Sequence, residues 1–586
     1  MKILGISSHY HDSAAALLID GVPVAAVQEE RISRRKNDAA FPLGAIEWCL
    51  HEGGVRPEQL DAVVFYEKPM LKFERILVTS LLAFPRSWRS FPHAMKNSLG
   101  EKMWIRGIIE SHLDVPAEKI LFCSHHVSHA ATAFLTSPSR EAAILTADGV
   151  GEWATLSLGR GRRDQSTELE LLREIHFPHS LGMLYSTFTA FLGFEVNEGE
   201  YKVMGLAAYG TPTRLDDVKK LIRIHEDGAF ELDMRYFDYG HSSTRSYSDA
   251  FVALFGAPRR PYAPLDPRTD SGRLYADIAA SVQRALEDVL VNLAQRLRAE
   301  TGAVDLCLGG GVALNGVANA RILRESGFER VYVPPAPGDA GCALGAALWA
   351  DRIHFRQPDR EVPDHAYLGP RLDPEELSRV ATEDGLRVER ASNEAQLLRL
   401  IVDALEAGLI VGFMEGASEL GPRALGHRSI LAAPDRAATR DRLNQEIKYR
   451  EEFRPFAPAV PVEDAERYFE LPPGGARLAL FMSGVFPVRP EWRERLAAVT
   501  HVDGTARLQT VDAQRSPRFY ALLRAWGART GVPVLVNTSF NLAGEPIVNR
   551  AVEGYATFRR CGIDVLVGGE CVVYKAGSAP EEAGRC

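Results

Sequence analysis

The sequence predicts an α/β protein of two domains, the first of them built from two similar halves. Three observations predict this class. The chain has 586 residues, more than a single hydrophobic core accommodates. Residues 2–21 and 142–161 share one pattern: an apolar run, a turn of small and polar residues with an aspartate, and a second apolar run. Further along, the apolar segment 304–311 ends in three glycines and precedes a helical pattern after Asn315.

The pattern shared by residues 2–21 and 142–161 predicts a strand, a tight loop and a second strand in each case. Loops of this kind turn backbone N–H groups toward a phosphate. A duplicated α/β domain with a cleft between its halves explains the repetition. Two unrelated hairpins explain it as well, and the pattern alone does not decide between them.

A long helix is predicted by apolar residues at helical spacing, and it ends near Gly302. The order that follows, strand, glycine turn and helix, is typical of nucleotide binding, because glycines let the backbone approach a ligand closely. A bare Gly-Gly-Gly is also common in turns that bind nothing. The apolar residues of the long helix are Ile278, Val282, Leu286, Val289 and Leu293.

A domain boundary is predicted at residues 353–370, which are rich in Pro, Asp, Arg and His and show little periodicity. The first domain then spans residues 1–352 and the second spans residues 371–576. Residues 577–586 are expected to form a frayed tail.

Composition excludes several classes of protein. A formal net charge of −9 argues against a nucleic-acid partner. The seven cysteines include no close-spaced pair, so neither a zinc ribbon nor a disulfide framework is predicted, and free thiols fit a reducing compartment. Asp12 interrupts the start of the chain before any signal-peptide core, and no run of about 18 apolar residues predicts a membrane span. A cytoplasmic protein without a membrane partner is expected.

The histidines of residues 124–130, SHHVSHA, are candidate metal ligands. On a helix, His125 and His129 share one face, and His126 also reaches His129. Asp148 and Asp339 lie in loops after predicted strands, where ligands bind in α/β folds. Imidazole and carboxylate ligands suit Fe(II), Mn(II) or Zn(II), and the residues alone do not choose among these metals or between the two histidine pairs.

A candidate anion site lies in the second domain, where basic residues accompany Gly, Pro and aromatic residues. Guanidinium groups bind phosphate or carboxylate through two hydrogen bonds, and lysine supplies a point charge. Hydroxyl and amide groups after a strand would fix the orientation of a ligand. The residues are Arg423, Arg428, Lys448, Arg450, Arg454, Arg507, Asn537, Ser539 and Asn541.

Over almost its whole length, the chain resembles the O-carbamoyltransferases of the NodU/CmcH/TobZ type. The resemblance rests on ordered motifs: HDSAAALLIDG, EERISRRK, HHVSHAA, ADGVGE, GEYKVMGLAAYG, GGGVALN, PPAPGDAG, GPRALGHRS, REEFRPFAP, and NTSFN followed by GEPIV.

This resemblance implies a TsaD-like first domain, with the duplicated actin and sugar-kinase ATPase fold, and a YrdC-like α/β second domain. It implies that the second domain converts carbamoyl phosphate and ATP, with Mg²⁺, into carbamoyl-adenylate and pyrophosphate. In the first domain a metal, Fe(II) by resemblance or another divalent ion, then holds the adenylate while an acceptor hydroxyl attacks.

Carried over to this sequence, the resemblance assigns residues to each step. The metal ligands are His125, His129, Asp148 and Asp339. Nucleotide contacts fall on Lys202, Gly310, Gly311 and Asn315. The carbamoyl phosphate and ATP site falls on Arg423, Lys448, Arg454, Arg507 and Ser539, with Asn541 beside it, and Lys448 and Arg454 are the residues expected to act in catalysis.

His11 is the candidate base for the acceptor hydroxyl, because histidine titrates near neutral pH, and Asp12 would orient it. One position departs from the family pattern: Asn37 stands where the family often has histidine, and an amide cannot act as a base.

The acceptor is expected to be a hydroxylated small molecule of unknown identity, in natural-product biosynthesis, and the resemblance allows a homodimer. Three other functions remain in view. A tRNA-modifying enzyme would need a basic surface, which the net charge of −9 does not favour. A sugar kinase would leave the second domain without a role, and a regulatory protein would bind carbamoyl phosphate or nucleotide without turnover.

Overall fold

The chain folds into two compact units in this computed structural model, which describes residues 1–98, 100–164, 166–226, 228–242, 244–451 and 453–575. Unit 1 comprises Met1–Ala26 and Ala39–Pro363, and unit 2 comprises Val27–Asp38 and Asp364–Cys586. The division after Pro363 falls inside the boundary segment 353–370. Residues 27–38, which were expected in the first domain, belong to unit 2 instead. The expected tail, residues 577–586, lies outside the described residues.

The described residues of unit 1 form two five-stranded sheets with the same topology, ordered β3-β2-β1-β4-β5 and β8-β7-β6-β11-β12, and one two-stranded sheet. In both large sheets the first strand pairs antiparallel with the second and parallel with the fourth. This shared topology is what a duplicated α/β domain requires. The strands are β1 (Lys2–Ser7), β2 (Ala14–Ile19), β3 (Val22–Gln28), β4 (Ala62–Phe65), β5 (Ile120–Phe122), β6 (Glu141–Ala147), β7 (Ala154–Arg163), β8 (Thr167–His176), β9 (Ile222–Ile224), β10 (Phe230–Leu232), β11 (Asp305–Gly309) and β12 (Arg330–Tyr332).

The helices of unit 1 follow these strands. The predicted long helix is α11, which begins after the capping hydroxyl of Thr269 and ends at Gly302, where the backbone is left-handed with φ 69°. The first helix of the chain, α1 (Glu29–Ser33), lies in the segment that belongs to unit 2. The others are α2 (Leu43–Glu52), α3 (Pro69–Leu82), α4 (Phe91–Ser98), α5 (Ile105–Leu113), α6 (His125–Leu135), α7 (Leu181–Phe191), α8 (Glu200–Ala207), α9 (Leu215–Lys219), α10 (Asp249–Phe255), α11 (Asp270–Thr301), α12 (Gly316–Glu325) and α13 (Asp339–Trp349).

Helices α6 and α13 pack closely, because small residues line their contact. A methyl group at Gly345 of α13 would lie 2.1 Å from both the carbonyl oxygen of Ser128 and the hydroxyl of Thr132 on α6. This close approach is what brings the first turn of α6 beside the first turn of α13. Both helices are buried along most of their length.

Unit 2 is built on one nine-stranded mixed sheet, ordered β13-β21-β20-β14-β15-β19-β16-β18-β17. Helices α15 and α19 cover an apolar core that includes Leu405, Phe413 and Trp526. The strands are β13 (Arg387–Arg390), β14 (Val411–Met414), β15 (Arg428–Ala432), β16 (Ala457–Pro461), β17 (Gly484–Pro487), β18 (Thr505–Val511), β19 (Leu535–Ser539), β20 (Val565–Gly568) and β21 (Cys571–Tyr574). The helices are α14 (Pro374–Glu383), α15 (Glu394–Glu406), α16 (Ala437–Arg442), α17 (Ala465–Tyr468), α18 (Gly475–Leu478), α19 (Pro517–Thr530) and α20 (Ala551–Arg560).

Over the part of the chain that the structure describes, no helix combines the length and the apolar composition that crossing a membrane demands. The α/β class predicted from the sequence is confirmed by the sheets and helices of both units.

Candidate metal centre and anion site

Four side chains predicted as metal ligands meet in unit 1. His125, His129, Asp148 and Asp339 each offer one ligand atom, and these atoms all lie within 4.8 Å of one another. His125 Nε2 is 3.0 Å from Asp148 Oδ2 and 3.2 Å from His129 Nε2. His129 Nε2 is 3.5 Å from Asp339 Oδ1. Atoms that bind one cation at about 2.1 Å lie roughly 3.0 to 3.4 Å apart, so this spacing suits a single ion.

Secondary structure explains the arrangement. The two histidines are four residues apart on α6 and therefore share one face. Asp148 follows β6, and Asp339 opens α13, which packs against α6. The sequence placed Asp148 in a loop, as observed, but it also placed Asp339 in a loop, whereas Asp339 is the first residue of α13. The packing of α6 on α13 brings the four side chains together.

The chemistry of this cluster fits a bound cation. Within the described residues, neither carboxylate oxygen of the buried Asp339 has a hydrogen-bond partner. His129 Nδ1 lies 3.0 Å from the carbonyl oxygen of Pro337, so Nδ1–H donates there and Nε2 faces the carboxylates of Asp148 and Asp339. Burial alone would raise the pKa of Asp148, but hydrogen bonds from His125 and His129 hold it well below its usual range. A carboxylate that stays ionised and imidazoles that offer Nε2 are suitable ligands for a divalent ion.

His126 is turned away from this cluster. Its Nδ1 lies 2.7 Å from the hydroxyl of Thr146. Burial, followed by the charges of His125 and His129, lowers the pKa of His126 to about 3, so the ring stays neutral. Of the two histidine pairs left open by the sequence, the structure assembles 125 with 129.

The glycine segment after β11 supports the metal cluster. Gly311 N–H donates to Asp148 Oδ1 at 3.1 Å, and a methyl group at Gly311 would lie 2.8 Å from that oxygen. Gly310 N–H donates to the carbonyl oxygen of Pro337 at 2.8 Å. Gly310 and Gly311, which were expected to contact nucleotide, therefore hold the loops of Asp148 and Asp339. Their nucleotide contacts stay predictions.

The other two residues expected to contact nucleotide have structural contacts of their own. The Asn315 side chain caps α12 by accepting the N–H of Ala318 at 3.1 Å, and it also hydrogen-bonds Gln283. The Lys202 ammonium on α8 lies 5.8 Å from the centre of the Phe194 ring. Their nucleotide contacts stay predictions.

His11 and Asp12 form the expected pair in the loop between β1 and β2. His11 Nδ1 is 3.1 Å from Asp12 Oδ2. Burial alone would lower the pKa of His11, but the hydrogen bond to Asp12 and the charges of Asp339 and Asp148 raise it to about 9. The His11 ring therefore lies in the field of the metal cluster and carries a proton at neutral pH when no cation is bound.

The predicted anion site of unit 2 brings several cations together. Burial, followed by the charges of Arg423, Arg450 and Arg454, lowers the pKa of Arg507 well below its usual range. Within the described residues, Arg507 Nε is buried and has no hydrogen-bond partner. Arg454 approaches Glu451 at 3.5 Å. A partly buried guanidinium in the field of other guanidiniums favours binding of an anion.

Lys448 ends the helical turn Leu443–Lys448, and its ammonium contacts Ser539, the last residue of β19, and Asn541 beyond it. Nζ donates to Asn541 Oδ1 at 2.9 Å, to the Asn541 carbonyl at 3.0 Å, and to the carbonyl and hydroxyl of Ser539. Burial, followed by the charges of Arg450 and Arg454, lowers the pKa of Lys448 well below its usual range. The structure therefore joins Lys448, Ser539 and Asn541 in one place, as the motif resemblance implied.

Arg428 was expected to belong to the anion site, and that expectation is wrong. Its guanidinium is fully buried, where it donates to carbonyl oxygens of the surrounding loops. The N–H groups of the guanidinium are all engaged in these hydrogen bonds. Arg428 therefore links backbone segments and has no N–H group available to bind an anion. The oxygens belong to Pro370, Glu415, Gly416, His427 and Asn549.

The family follows from matches to both units. The family model described as the carbamoyltransferase N-terminus matches residues 2–348, and the one described as the carbamoyltransferase C-terminus matches residues 402–575. The chain belongs to the carbamoyltransferase family. Membership makes it an enzyme that transfers carbamoyl groups, as its motifs predicted.

Two relatives align along most of the chain and a third along less than half of it. An uncharacterized protein of Synechocystis is 45% identical over 600 residues, which covers 96% of this chain and 95% of that one. Nodulation protein NolNO of Sinorhizobium fredii is 37% identical over 587 residues, covering 98% of this chain and 80% of that one. The 3'-hydroxymethylcephem-O-carbamoyltransferase of Amycolatopsis lactamdurans is 36% identical over 265 residues, covering 45% of this chain and 48% of that one.

Solved structures resemble this family member more distantly. HypF of T. kodakarensis has a TM-score of 0.30 and 13% identity, covering 62% of this chain and 49% of that one. No inference about fold or function follows from a score so low. The actin and sugar-kinase fold of unit 1 and the YrdC-like fold of unit 2 stay predictions.

Two residues of this carbamoyltransferase that support the metal cluster were not singled out in the sequence. Glu152 accepts the backbone N–H of His125 at 3.0 Å and of Lys68 at 2.8 Å, so its carboxylate caps α6. Cys342 Sγ lies 3.2 Å from His129 Nδ1. Glu152 stands in the quoted motif ADGVGE, which was a usable signal, whereas nothing in the sequence around Cys342 pointed to His129.

Proposed function

We propose that this protein is an ATP-dependent O-carbamoyltransferase that forms carbamoyl-adenylate in unit 2 and passes its carbamoyl group to a hydroxyl of a small molecule in unit 1. The observation that carries the proposal is the contrast between the metal-ligand side chains of one site and the basic side chains of the other. Unit 1 holds two carboxylates and two imidazoles, and unit 2 holds partly buried arginines and a buried lysine. A metal-assisted acyl transfer needs the first kind of site, and phosphate chemistry needs the second.

The reaction in unit 2 begins with hydrolysis of carbamoyl phosphate, in which water provides the oxygen and protons that yield carbamate and phosphate. A carbamate oxygen attacks the α-phosphorus of ATP, and pyrophosphate leaves with Mg²⁺. Arg423, Arg454 and Arg507 are proposed to neutralise the phosphate oxygens. This role is supported by two observations: within the described residues Arg507 Nε has no hydrogen-bond partner, and the charges of other guanidiniums lower the pKa of Arg507.

Lys448 and the residues after β19 are proposed to orient the substrates. The ammonium already contacts Ser539 and Asn541, so the three side chains present a fixed set of donors and acceptors at a strand end. Burial lowers the pKa of Lys448, and an arriving anion would raise it again.

The reaction in unit 1 joins the acceptor oxygen to the carbamoyl carbon, and AMP leaves. His11 is proposed to accept the proton of the acceptor hydroxyl, with Asp12 orienting its ring through Nδ1. The four ligands would hold a divalent cation, which would act as a Lewis acid on the carbamoyl carbonyl. The charge of that cation would offset the charges of Asp148 and Asp339, which would then no longer raise the pKa of His11. Fe(II) is the proposed ion.

The proposed acceptor is a hydroxylated metabolite, in keeping with the O-carbamoyltransferase name of one relative. A role in natural-product biosynthesis, a cytoplasmic location, a homodimeric state and the lack of nucleic-acid or membrane partners are further parts of the proposal.

The decisive experiment is mass spectrometry of purified protein mixed with ATP, carbamoyl phosphate and Fe(II), without an acceptor. We expect carbamoyl-adenylate and pyrophosphate. ADP in their place would favour a kinase, and ATP binding without any product, with or without candidate hydroxyl acceptors, would favour a regulatory protein.

Two substitutions test the division of labour. His11→Ala should abolish transfer while adenylate formation persists, and Arg507→Ala should abolish adenylate formation while transfer from supplied carbamoyl-adenylate persists. Exposed residues of the same type give the controls, His51→Ala and Arg495→Ala, which should behave like the wild type. Loss of both reactions in His11→Ala, with both controls active, would contradict the assignment.

A further inference from the structure

Residues 27–38 stand in the first tenth of the sequence, yet they pack within unit 2. Gln28 and Arg31 are both buried, and each contacts the same residue of the GPRALGHRS loop. Gln28 Oε1 accepts the N–H of Gly421 at 3.1 Å, and Arg31 Nη2 donates to the carbonyl oxygen of Gly421 at 2.7 Å. Both backbone polar groups of Gly421 are therefore satisfied by side chains about 390 positions away.

Gly421 is a sensitive place for such contacts. Its φ of 109° is a conformation that only glycine adopts without strain, so its two hydrogen bonds help to hold an unusual backbone turn. Arg423 follows two residues later, and its guanidinium lies in the field of Arg507. The backbone conformation at Gly421 therefore determines the position of the Arg423 backbone.

The rest of the loop has its own support. Glu419 Oε1 accepts the backbone N–H groups of Leu425, His427 and Arg428 at 2.8 to 3.2 Å. That carboxylate holds the returning half of the loop, whereas Gln28 and Arg31 hold its tip.

A second anchor ties the same segment to the chain that follows Asn541. Arg34 donates to the carbonyl oxygens of Ile547 and Pro546 at 2.7 and 3.0 Å, and it approaches Glu553 at 3.4 Å. These carbonyls follow Asn541 along the chain. Residues 27–38 therefore bridge the two loops that carry Arg423 and Asn541.

We propose that Gln28 and Arg31 are positioning residues of the anion site: they fix Gly421 and, through it, the guanidinium of Arg423. This inference rests on the proposed function, in which Arg423 binds the phosphate groups of the substrates. It also means that residues 364–586 alone lack a working part of the site.

The test measures carbamoyl phosphate turnover by pyrophosphate release in the full-length protein. Arg31→Met should raise KM for carbamoyl phosphate about tenfold or more, with little change in kcat, because a charge-assisted contact of Arg423 is weakened. Arg31→Lys keeps a donor and should recover most of the loss. Arg35→Met is the matched control, because Arg35 belongs to the same segment but is 71% exposed and pairs with Asp38.

A double substitution distinguishes a positioning role of Arg31, exerted through Arg423, from a general loss of structure. If Arg31 acts through Arg423, adding Arg31→Met to Arg423→Met should raise KM no further. Arg34→Met breaks the other anchor, and its effect should multiply with that of Arg423→Met. Multiplication of the Arg31 and Arg423 effects would overturn the proposal.

Hydrogen exchange keeps the inference testable should the proposed function fail. Gln28→Leu removes the acceptor of the Gly421 N–H, so amides of residues 417–425 should exchange faster than in the wild type, whereas Arg35→Met should leave them unchanged. Unchanged exchange in Gln28→Leu would refute the positioning role. A wild-type protein that forms no pyrophosphate but shows this exchange pattern would refute only the proposed function.

Discussion

Replacing Gly311 by alanine tests whether the glycine segment holds the metal cluster. The added methyl group would lie 2.8 Å from Asp148 Oδ1, whereas an ordinary contact needs at least 3.4 Å. Asp148 or the backbone must therefore shift by about 0.6 Å, and the hydrogen bond from Gly311 N–H, now 3.1 Å, is disturbed as well. Losing a partner that orients a metal ligand typically weakens metal binding about 10- to 100-fold, or roughly 1.4 to 2.7 kcal/mol.

The assay is competition with a chromophoric chelator, with Fe(II) under anaerobic conditions and with Zn(II). Gly338→Ala is the matched control, because it also adds one methyl group beside a ligand, Asp339, but meets no atom within 4 Å. We expect weaker binding in Gly311→Ala and wild-type binding in Gly338→Ala. Equal affinities in the two variants would refute the reasoning that close packing at Gly311 sets the position of Asp148.

Three further predictions follow from contacts of single residues. The folded pKa of His11, about 9, exceeds the unfolded value of about 6.5, so its stabilising contribution is complete below pH 6.5 and is lost as the pH rises through 9. Asp12→Asn should move the NMR titration midpoint of His11 in the metal-free protein downward, and an unchanged midpoint would contradict the role of Asp12. Glu152→Ala removes the cap that holds His125 and should weaken metal binding about tenfold by the same competition assay, while binding equal to that of the wild type would exclude a positioning role. Arg428→Met leaves buried carbonyl oxygens without donors and should lower the free energy of unfolding by about 3 kcal/mol or more in a urea titration, whereas a loss below about 1 kcal/mol would show that water replaces the guanidinium.

Local patterns predicted the elements of the fold well. The strand–loop–strand segments became β1–β2 and β6–β7, and the apolar periodicity before Gly302 became α11. These features depend on side-chain period and on turn residues, which act within a few neighbouring positions. The choice between duplication and two unrelated hairpins needed the strand order of both sheets, because pairing between distant strands leaves little trace in a single sequence.

The candidate sites show the same difference between features that local sequence predicts and features that contacts between distant segments decide. The spacing of His125 and His129 was readable, since a helix places residues four apart on one face. Asp148 and Asp339 were readable from their positions after predicted strands, and the motif resemblance then assigned roles to these residues and to Lys448 and Ser539. Arg428 was misassigned because an arginine in a glycine-rich loop looks the same in sequence whether it faces a ligand or the carbonyl oxygens of its own loops.

The sequence by itself determined the secondary structure, the family, and the residue types of both sites, because these depend on local periodicity and on ordered motifs. Only the tertiary structure decided which of these residues meet. It turned His126 toward Thr146, placed Gly311 against Asp148, and assigned residues 27–38 to unit 2. The physical reason is that packing and buried hydrogen bonds are settled between segments hundreds of residues apart, where each contact depends on the position of every other.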